Sequence, residues 1–97
     1  MPHGYLLVTM NISDPERYKQ YMAEAPKSVA AFGGEYLVRG GRHETLEGEW
    51  SPDRVAMLRF PSYERAKAFY DDAQYTQIRE LRQGATEYFD MVLVEGV

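Results

Sequence analysis

The chain has 97 residues, a formal net charge of −4 and no cysteine, which predicts one soluble domain spanning residues 1–97. Charges of both signs are mixed along it without a basic stripe, which argues against a nucleic-acid or anionic-membrane surface. The lack of cysteine excludes disulfides, a thiol nucleophile and thiolate-bound metal, and it suits the reducing cytoplasm where we expect the protein. No stretch approaches the roughly 20 apolar residues of a membrane-spanning helix.

The chain begins with a predicted strand followed by a helix. Residues 5–12 have the composition and alternation of a strand. Ser13 or Asp14 is expected to cap the helix, with Pro15 near its first turn. Apolar residues then recur at spacings of three and four until Gly33-Gly34, which end the helix.

Pro26 lies inside this helical pattern and predicts a kink or a division near Ala25, because proline has no N–H for the helix ladder. A second strand is predicted over residues 35–39. The chain then becomes polar and rich in turn residues, with a short strand extension expected at Thr45–Leu46.

The second half repeats the order of the first. Residues 54–60 predict a third strand, and Ser62 caps a second helix. Helical spacing continues from Tyr75 to Leu81 as a separate short helix. Residues 87–95 predict the last strand. The order strand, helix, strand, strand, helix, strand indicates an α+β, ferredoxin-like βαββαβ fold with a four-stranded antiparallel sheet and both helices on one face.

The sheet face turned away from the helices predicts a homodimer. When one face of an antiparallel sheet lies in water, apolar and polar residues normally alternate along its strands, and the water-facing residues are polar. Here it is expected to mix apolar and polar side chains, namely Tyr5, Leu7, Thr9, Asn11, Leu37, Arg39, Val55, Met57 and Arg59. Exposing this mixture would leave a large apolar patch, and the chain has no third layer to cover it. We therefore expect two copies to pair through their sheets as a dimeric α/β barrel that encloses a partly polar cavity.

Several short motifs resemble the DUF1330 family, a domain family of unknown function in the dimeric α/β-barrel superfamily. The resemblance runs in order over nearly the whole chain, through Gly33-Gly34, Leu37-Val38-Arg39-Gly40-Gly41, Leu46-Glu47-Gly48, Trp50, Arg54, Phe60-Pro61-Ser62, Ala68-Phe69-Tyr70, Tyr75, Leu81-Arg82 and Val94-Glu95-Gly96. It implies a ferredoxin-like protomer, a homodimer and a cavity between the sheets, and it implies no known activity. Two positions depart from the family pattern: Phe69 replaces the usual tryptophan, and Arg59 replaces the usual acid.

Arg39 is the first candidate for ligand binding, together with Gly40 and Gly41, which allow a close approach of the backbone. A guanidinium in a cleft binds a carboxylate or phosphate through two hydrogen bonds. The structural alternative is that Arg39 pairs with Glu47 or another acid and holds the loop.

The loop after Gly41 carries candidates for catalysis and for ligand binding. His43 and Glu47 are catalytic candidates, because a neutral histidine near a carboxylate can act as a general base near pH 7. Trp50 and Arg54 are candidates to line the mouth of the cavity. The alternatives are a surface histidine, and a loop anchored by tryptophan packing and an Arg54–carboxylate pair.

Tyr75 and Arg82 lie seven residues apart, two helical turns on one face. Tyr75 is a catalytic candidate that would donate its hydroxyl, and Arg82 is a ligand-binding candidate that would supply positive charge. Such residues also dock helices against their neighbours. Most of the eight tyrosines, including Tyr18, Tyr21 and Tyr70, fall on helix stripes and are assigned to packing.

Three functions remain open. The first is a small-molecule-binding dimer, including a cofactor-independent enzyme acting on a small organic acid or aromatic metabolite. The second is a non-catalytic ligand carrier, sensor or stress-associated dimer, favoured by the lack of a nucleophile or cofactor motif. The third is an interaction module that uses an exposed sheet edge and would be monomeric. No metal or other cofactor is expected in any of them.

Overall fold

The computed structural model describes residues 2–97. Its elements are β1 (Gly4–Ile12), α1 (Pro15–Ala31), β2 (Glu35–Arg39), β3 (Arg54–Phe60), α2 (Tyr63–Asp71), α3 (Ala73–Arg79) and β4 (Thr86–Glu95), with a 3₁₀ turn at Glu80–Arg82 after α3. The four strands form one antiparallel sheet in the order β2-β3-β1-β4. The predicted βαββαβ ferredoxin-like fold is confirmed, with α2 and α3 together forming the second crossover. None of the helices is both long enough and apolar enough to cross a membrane, as far as residues 2–97 are concerned.

The core lies between the sheet and the helices. Leu6 of β1 pairs with Leu58 of β3 on one side and with Leu93 of β4 on the other, so these three leucines share the helix-facing side. Phe60 and Phe69 are each 1% exposed, with ring centroids 5.0 Å apart. Burying a side chain of this size stabilises the fold by roughly 1.5–3 kcal/mol.

Helix α1 begins and ends where local chemistry requires. The Asp14 carboxylate accepts a hydrogen bond from the Arg17 backbone N–H at 3.1 Å, and Pro15 is the first helical residue. At the other end Gly33 has a φ of 75°, its N–H bonds to Ala30 O, and the N–H of Gly34 bonds to Val29 O. This pair of hydrogen bonds is a Schellman motif, which satisfies the last carbonyl groups of the helix.

Helix α1 runs without a break through Pro26, so the division expected near Ala25 does not occur. Proline at position 26 leaves the carbonyl of Met22, four residues earlier, without its helical N–H partner. The guanidinium of Arg39 fills this place, since its Nη2 donates to Met22 O at 2.7 Å. A side chain from β2 thus compensates for a defect in the middle of α1.

The second crossover is divided at Asp72. The Ser62 side chain accepts from the Arg65 N–H at 3.1 Å and caps α2, as predicted. The carboxylate of Asp72 then accepts from the N–H groups of Gln74 and Tyr75, and it starts α3. This turn places the Tyr75 ring against Phe69, with centroids 4.2 Å apart.

Strand β2 is irregular. Tyr36 pairs with Leu58, whereas Val38 pairs with Met57, so two steps along β2 oppose one step along β3. A bulge of this kind moves every later side chain to the other face of the sheet. The strand extension expected at Thr45–Leu46 is absent, because residues 41–53 contain no strand.

The sheet face away from the helices, here called the open face, carries exposed apolar side chains. Leu7 of β1 is 39% exposed, and Val92 and Val94 of β4 are 54% and 40% exposed. They are neighbours, since Leu7 pairs with Val92 and Tyr5 pairs with Val94. The apolar character predicted for this face is therefore present in the protomer.

Candidate functional site

A small cavity lies between the sheet and helices α1 and α3. Its volume is about 30 Å³, roughly the volume that one molecule occupies in liquid water. Polar side chains and apolar side chains both contribute to its wall; the polar ones are Tyr18, Tyr21, Tyr36, Arg39, Arg54 and Tyr75. We call this the tyrosine cavity. None of its lining residues in the described part of the chain is a histidine, aspartate or glutamate.

Two buried tyrosines form the deepest polar contact of the cavity wall. The hydroxyl oxygens of Tyr21 and Tyr75 lie 2.5 Å apart and share a hydrogen bond. Burial raises the pKa of Tyr21 well above its ordinary value, and the nearby Tyr75 raises it further. Burial also raises the pKa of Tyr75. Both hydroxyls are therefore neutral near pH 7, where they can donate hydrogen bonds but cannot act as bases.

Tyr18 and Tyr36 also line the cavity. Burial raises the pKa of Tyr18 to about 12, and Tyr21 adds to the rise while the positive charge of Arg54 opposes it. Burial likewise raises the pKa of Tyr36, against the opposing charges of Arg39 and Arg54. The wall thus combines neutral hydroxyls with positive charge.

Arg39 does not lie on the open face, where strict alternation along β2 placed it. It pairs with Ala56, a core residue, and its guanidinium carbon lies 4.6 Å from the centroid of the Tyr36 ring. The bulge in β2 is the physical reason, because one extra residue turns the side chain to the helix side. Its hydrogen bond to Met22 O also gives Arg39 a structural task.

Arg54 lies at the mouth of the tyrosine cavity and has no partner among residues 2–97. It is part-buried, with no hydrogen bond and no carboxylate within ion-pair distance of its guanidinium. Gly40 makes room for it: a Cβ at Gly40 would collide with the Arg54 guanidinium, and the φ of 72° there also favours glycine. The expected Arg54–carboxylate pair is thus not formed within the described chain.

Arg82 lies beside the cavity rather than in its wall. Its guanidinium carbon is 3.7 Å from the Phe89 ring centroid and 5.2 Å from that of Tyr21. Its charge opposes the rise in the pKa of both Tyr21 and Tyr75. Tyr75 lines the tyrosine cavity whereas Arg82 lines a separate groove along β4, so the two residues do not line one cleft.

The loop candidates lie apart from the cavity. His43, Glu47 and Trp50 are exposed, as are Gly41 and Gly48 beside them, and none of the five lines the tyrosine cavity. The two ring nitrogens of His43 face the carbonyl oxygens of Pro52 at 2.8 Å and Gly41 at 3.1 Å. These carbonyl contacts, that of Pro52 first, raise the pKa of His43 and favour the imidazolium over the neutral base.

The structure thus brings together Arg39, Gly40, Arg54 and Tyr75, and leaves the loop residues outside. The sequence assigned Tyr18 and Tyr21 to packing, although both residues also line the cavity. The sequence feature that could have indicated a polar role for them is the helix stripe itself, which carries tyrosine at positions where a purely apolar core would accept phenylalanine. In residues 2–97 no three histidine or acidic side chains cluster closely enough to hold a metal ion.

A family model described as "Domain of unknown function (DUF1330)" matches residues 3–97. The chain belongs to the DUF1330 family. No curated protein matches this DUF1330 chain.

Solved structures resemble this DUF1330 protein over nearly its whole length. The RPA0582 protein of unknown function from Rhodopseudomonas palustris has a TM-score of 0.82 at 18% identity, covering 99% of this chain and 83% of its own. A dimeric ferredoxin-like protein of unknown function from Thermobifida fusca has a TM-score of 0.65 at 12% identity, with coverages of 97% and 91%. A candidate antibiotic biosynthesis monooxygenase from Caulobacter crescentus has a TM-score of 0.64 at 11% identity, with coverages of 99% and 91%. At these identities the likeness establishes the fold alone.

Proposed function

We propose that this DUF1330 protein is a homodimer that binds a small organic acid, with Arg54 holding the carboxylate at the mouth of the tyrosine cavity. The observation that carries the proposal is the part-buried, unpartnered guanidinium of Arg54. A charge removed from water is costly unless a counter-charge meets it, and a carboxylate matches the guanidinium fork with two hydrogen bonds.

The tyrosine hydroxyls suit the same ligand. With raised pKa values, Tyr18 and Tyr36 stay protonated and donate to an anionic oxygen. Apolar side chains such as Met10, Val29 and Leu58 complete the wall and suit the hydrocarbon part of an organic acid. Because the cavity holds only about 30 Å³, entry requires the side chains at its mouth to move. Arg54 makes no hydrogen bond that holds it in place within residues 2–97.

The test is a calorimetric titration with small carboxylates from acetate to benzoate. Arg54→Gln should weaken binding by about tenfold or more, since a hydrogen bond to a charged group contributes about 1.5–3 kcal/mol. Arg59→Gln is the matched control, because Arg59 is on the same strand and is already paired with Glu35. Equal affinity of the two variants, or no binding of any acid, would contradict the proposal.

A protein that binds a small organic acid can be a non-catalytic carrier or sensor, or an enzyme. The cavity wall supplies donors and no base, which favours a ligand carrier or sensor. The hydrogen-bonded hydroxyls of Tyr21 and Tyr75 favour the enzyme, since such a pair can polarise a carbonyl group. That version needs a base from the loop, His43 or Glu47 of the same or the partner subunit. Their catalytic roles, and the ligand-binding roles of Gly41 and Trp50, stay predictions.

The homodimer is proposed from the open face. Leu7, Val92 and Val94 form an exposed apolar patch that a second copy would cover. The Thermobifida fusca relative is described as dimeric, which supports the same assembly here. Light scattering should report twice the 11.2 kDa of one chain.

Charge introduced on the open face tests where the copies meet. Leu7→Asp and Val92→Asp should yield monomers, because each would bury a charge in the interface. Tyr63→Asp is the matched control, since Tyr63 is as exposed as Leu7, at 39%, and begins α2 on the other side of the sheet. A wild-type protein that stays monomeric at micromolar concentration would overturn the dimer.

A further inference from the structure

We propose a second anion site, separate from the tyrosine cavity, in which Arg79 and Arg82 hold a carboxylate or phosphate carried on a flat apolar group. The site is an open groove of about 640 Å³ between α3, the 3₁₀ turn and β4. Strand β4 is an edge strand, paired only with β1, so the groove opens directly to solvent along that edge.

Both guanidinium groups are held in place by aromatic rings. The Arg79 guanidinium carbon lies 4.0 Å from the Tyr70 ring centroid, and that of Arg82 lies 3.7 Å from the Phe89 ring centroid. Stacking of this kind combines cation–π attraction with burial of the flat face, and it leaves the N–H edge free for a ligand. The two arginines are therefore preorganised, which lowers the entropy cost of binding.

Each arginine also has a donor that nothing in residues 2–97 satisfies. The Nε atoms of Arg79 and Arg82 are shielded from solvent and have no hydrogen-bond partner. The one hydrogen bond formed by Arg79 runs from Nη2 to the Thr76 hydroxyl at 3.2 Å. Buried donors are normally paired, so two orphan N–H groups on residues that line one groove indicate an acceptor that arrives from outside. A carboxylate or phosphate oxygen beside Nε and Nη is the acceptor that fits this edge.

The rest of the groove selects the ligand further. Phe89 and Met91 provide an apolar wall beside the arginines, which suits an aromatic ring. Glu80 and Asp90 also lie at the groove, are exposed and form no ion pair within 4.0 Å with any residue of the described part of the chain, 2–97. Their negative charges reduce the positive electrostatic potential of the groove. Recognition of an anion therefore depends on the donor geometry of the two arginines more than on overall charge.

The groove adjoins the tyrosine cavity, with Met91 lining both, but its arginines differ from Arg54. Arg54 does not line the groove, and neither Arg79 nor Arg82 lines the tyrosine cavity. A ligand can therefore occupy one site while the other is disabled by mutation.

The test follows the Nε–Hε signals of Arg79 and Arg82 by ¹H–¹⁵N NMR during titration with benzoate, phenyl phosphate and, as the neutral control, benzyl alcohol. Both signals should shift to saturation with the anions and stay unmoved with benzyl alcohol. Tighter binding of benzoate would identify a carboxylate ligand, and tighter binding of phenyl phosphate a phosphate ligand. Unmoved signals with both anions, or equal shifts with benzyl alcohol, would overturn the proposal.

Lysine variants test the geometry without removing the charge. Arg79→Lys should weaken anion binding by about tenfold or more, because lysine lacks the Nε donor and the planar fork. Arg82→Lys should do the same, provided that circular dichroism reports an unchanged fold. Arg65→Lys is the matched control, since Arg65 also lies over an aromatic ring, that of Phe32 at 5.5 Å, away from the groove. Arg54→Gln should leave the anion-induced NMR shifts of Arg79 and Arg82 unchanged, which separates this site from the tyrosine cavity. Unchanged anion affinity in Arg79→Lys would refute the proposed anion site.

Discussion

Replacing Pro26 with alanine should stabilise the protein and make the hydrogen bond of Arg39 dispensable. Pro26 leaves Met22 O without its helical partner, and Arg39 donates to that oxygen at 2.7 Å. A proline inside a helix is about 3 kcal/mol less favourable than alanine. The hydrogen bond from Arg39 already offsets about 1 kcal/mol, and proline also restricts the unfolded chain. We therefore expect Pro26→Ala to raise the free energy of unfolding by about 1–2 kcal/mol.

A double-mutant cycle measures the link directly. Arg39→Met should cost about 1 kcal/mol with Pro26 present, since it leaves the Met22 carbonyl to water alone. In the Pro26→Ala background the same change should cost about 1 kcal/mol less, because the alanine N–H bonds to that carbonyl and only the contact of Arg39 with the Tyr36 ring is lost. The four proteins are compared by urea unfolding at one fixed protein concentration. Additive effects of the two changes would refute the compensating role of Arg39.

Two further predictions concern the tyrosine wall and one concerns a helix cap. Tyr21→Phe should lower the free energy of unfolding by about 1–2 kcal/mol, because it leaves the Tyr75 hydroxyl unpaired. The double variant Tyr21→Phe, Tyr75→Phe should lose less free energy of unfolding than the sum of the two single variants. Since the pKa of Tyr18 is raised to about 12 in the folded protein, its contribution to stability is complete below pH 10 and falls as pH rises towards 12. An ultraviolet titration of the tyrosines, combined with unfolding curves at each pH, measures this loss. Ionisation of every tyrosine near pH 10 in the folded state would contradict the prediction. Asp14→Ala should cost about 1 kcal/mol in thermal or urea unfolding and Ser13→Ala close to nothing, since only Asp14 accepts from the Arg17 N–H; equal costs would contradict the cap.

Local chemistry made most of the fold predictable. Alternation predicted β3 at its observed bounds, and capping residues predicted the starts of α1 and α2. The division predicted at Pro26 does not occur, and part of the cost of proline is offset by Arg39, which is 13 residues away in sequence and on another element. A tertiary contact of this kind leaves no trace in the local pattern.

The candidate site was harder to predict, for one geometric reason. A single extra residue in β2 turns Arg39 from the open face to the helix side, and hydrophobic alternation over five residues carries too little signal to reveal a bulge. The tyrosines of α1 were assigned to packing, which their burial supports, while both residues also line the cavity. The glycines bracketing β2 were informative, since Gly40 is the position that accommodates Arg54.

A crystal structure of the protein grown with benzoate shows whether Arg54 binds an organic acid. We expect a carboxylate bound by the Arg54 guanidinium at the mouth of the tyrosine cavity, within hydrogen-bond distance of its nitrogen atoms. An Arg54 side chain already paired with an acidic residue of the partner subunit, and left so in the presence of the acid, would contradict it.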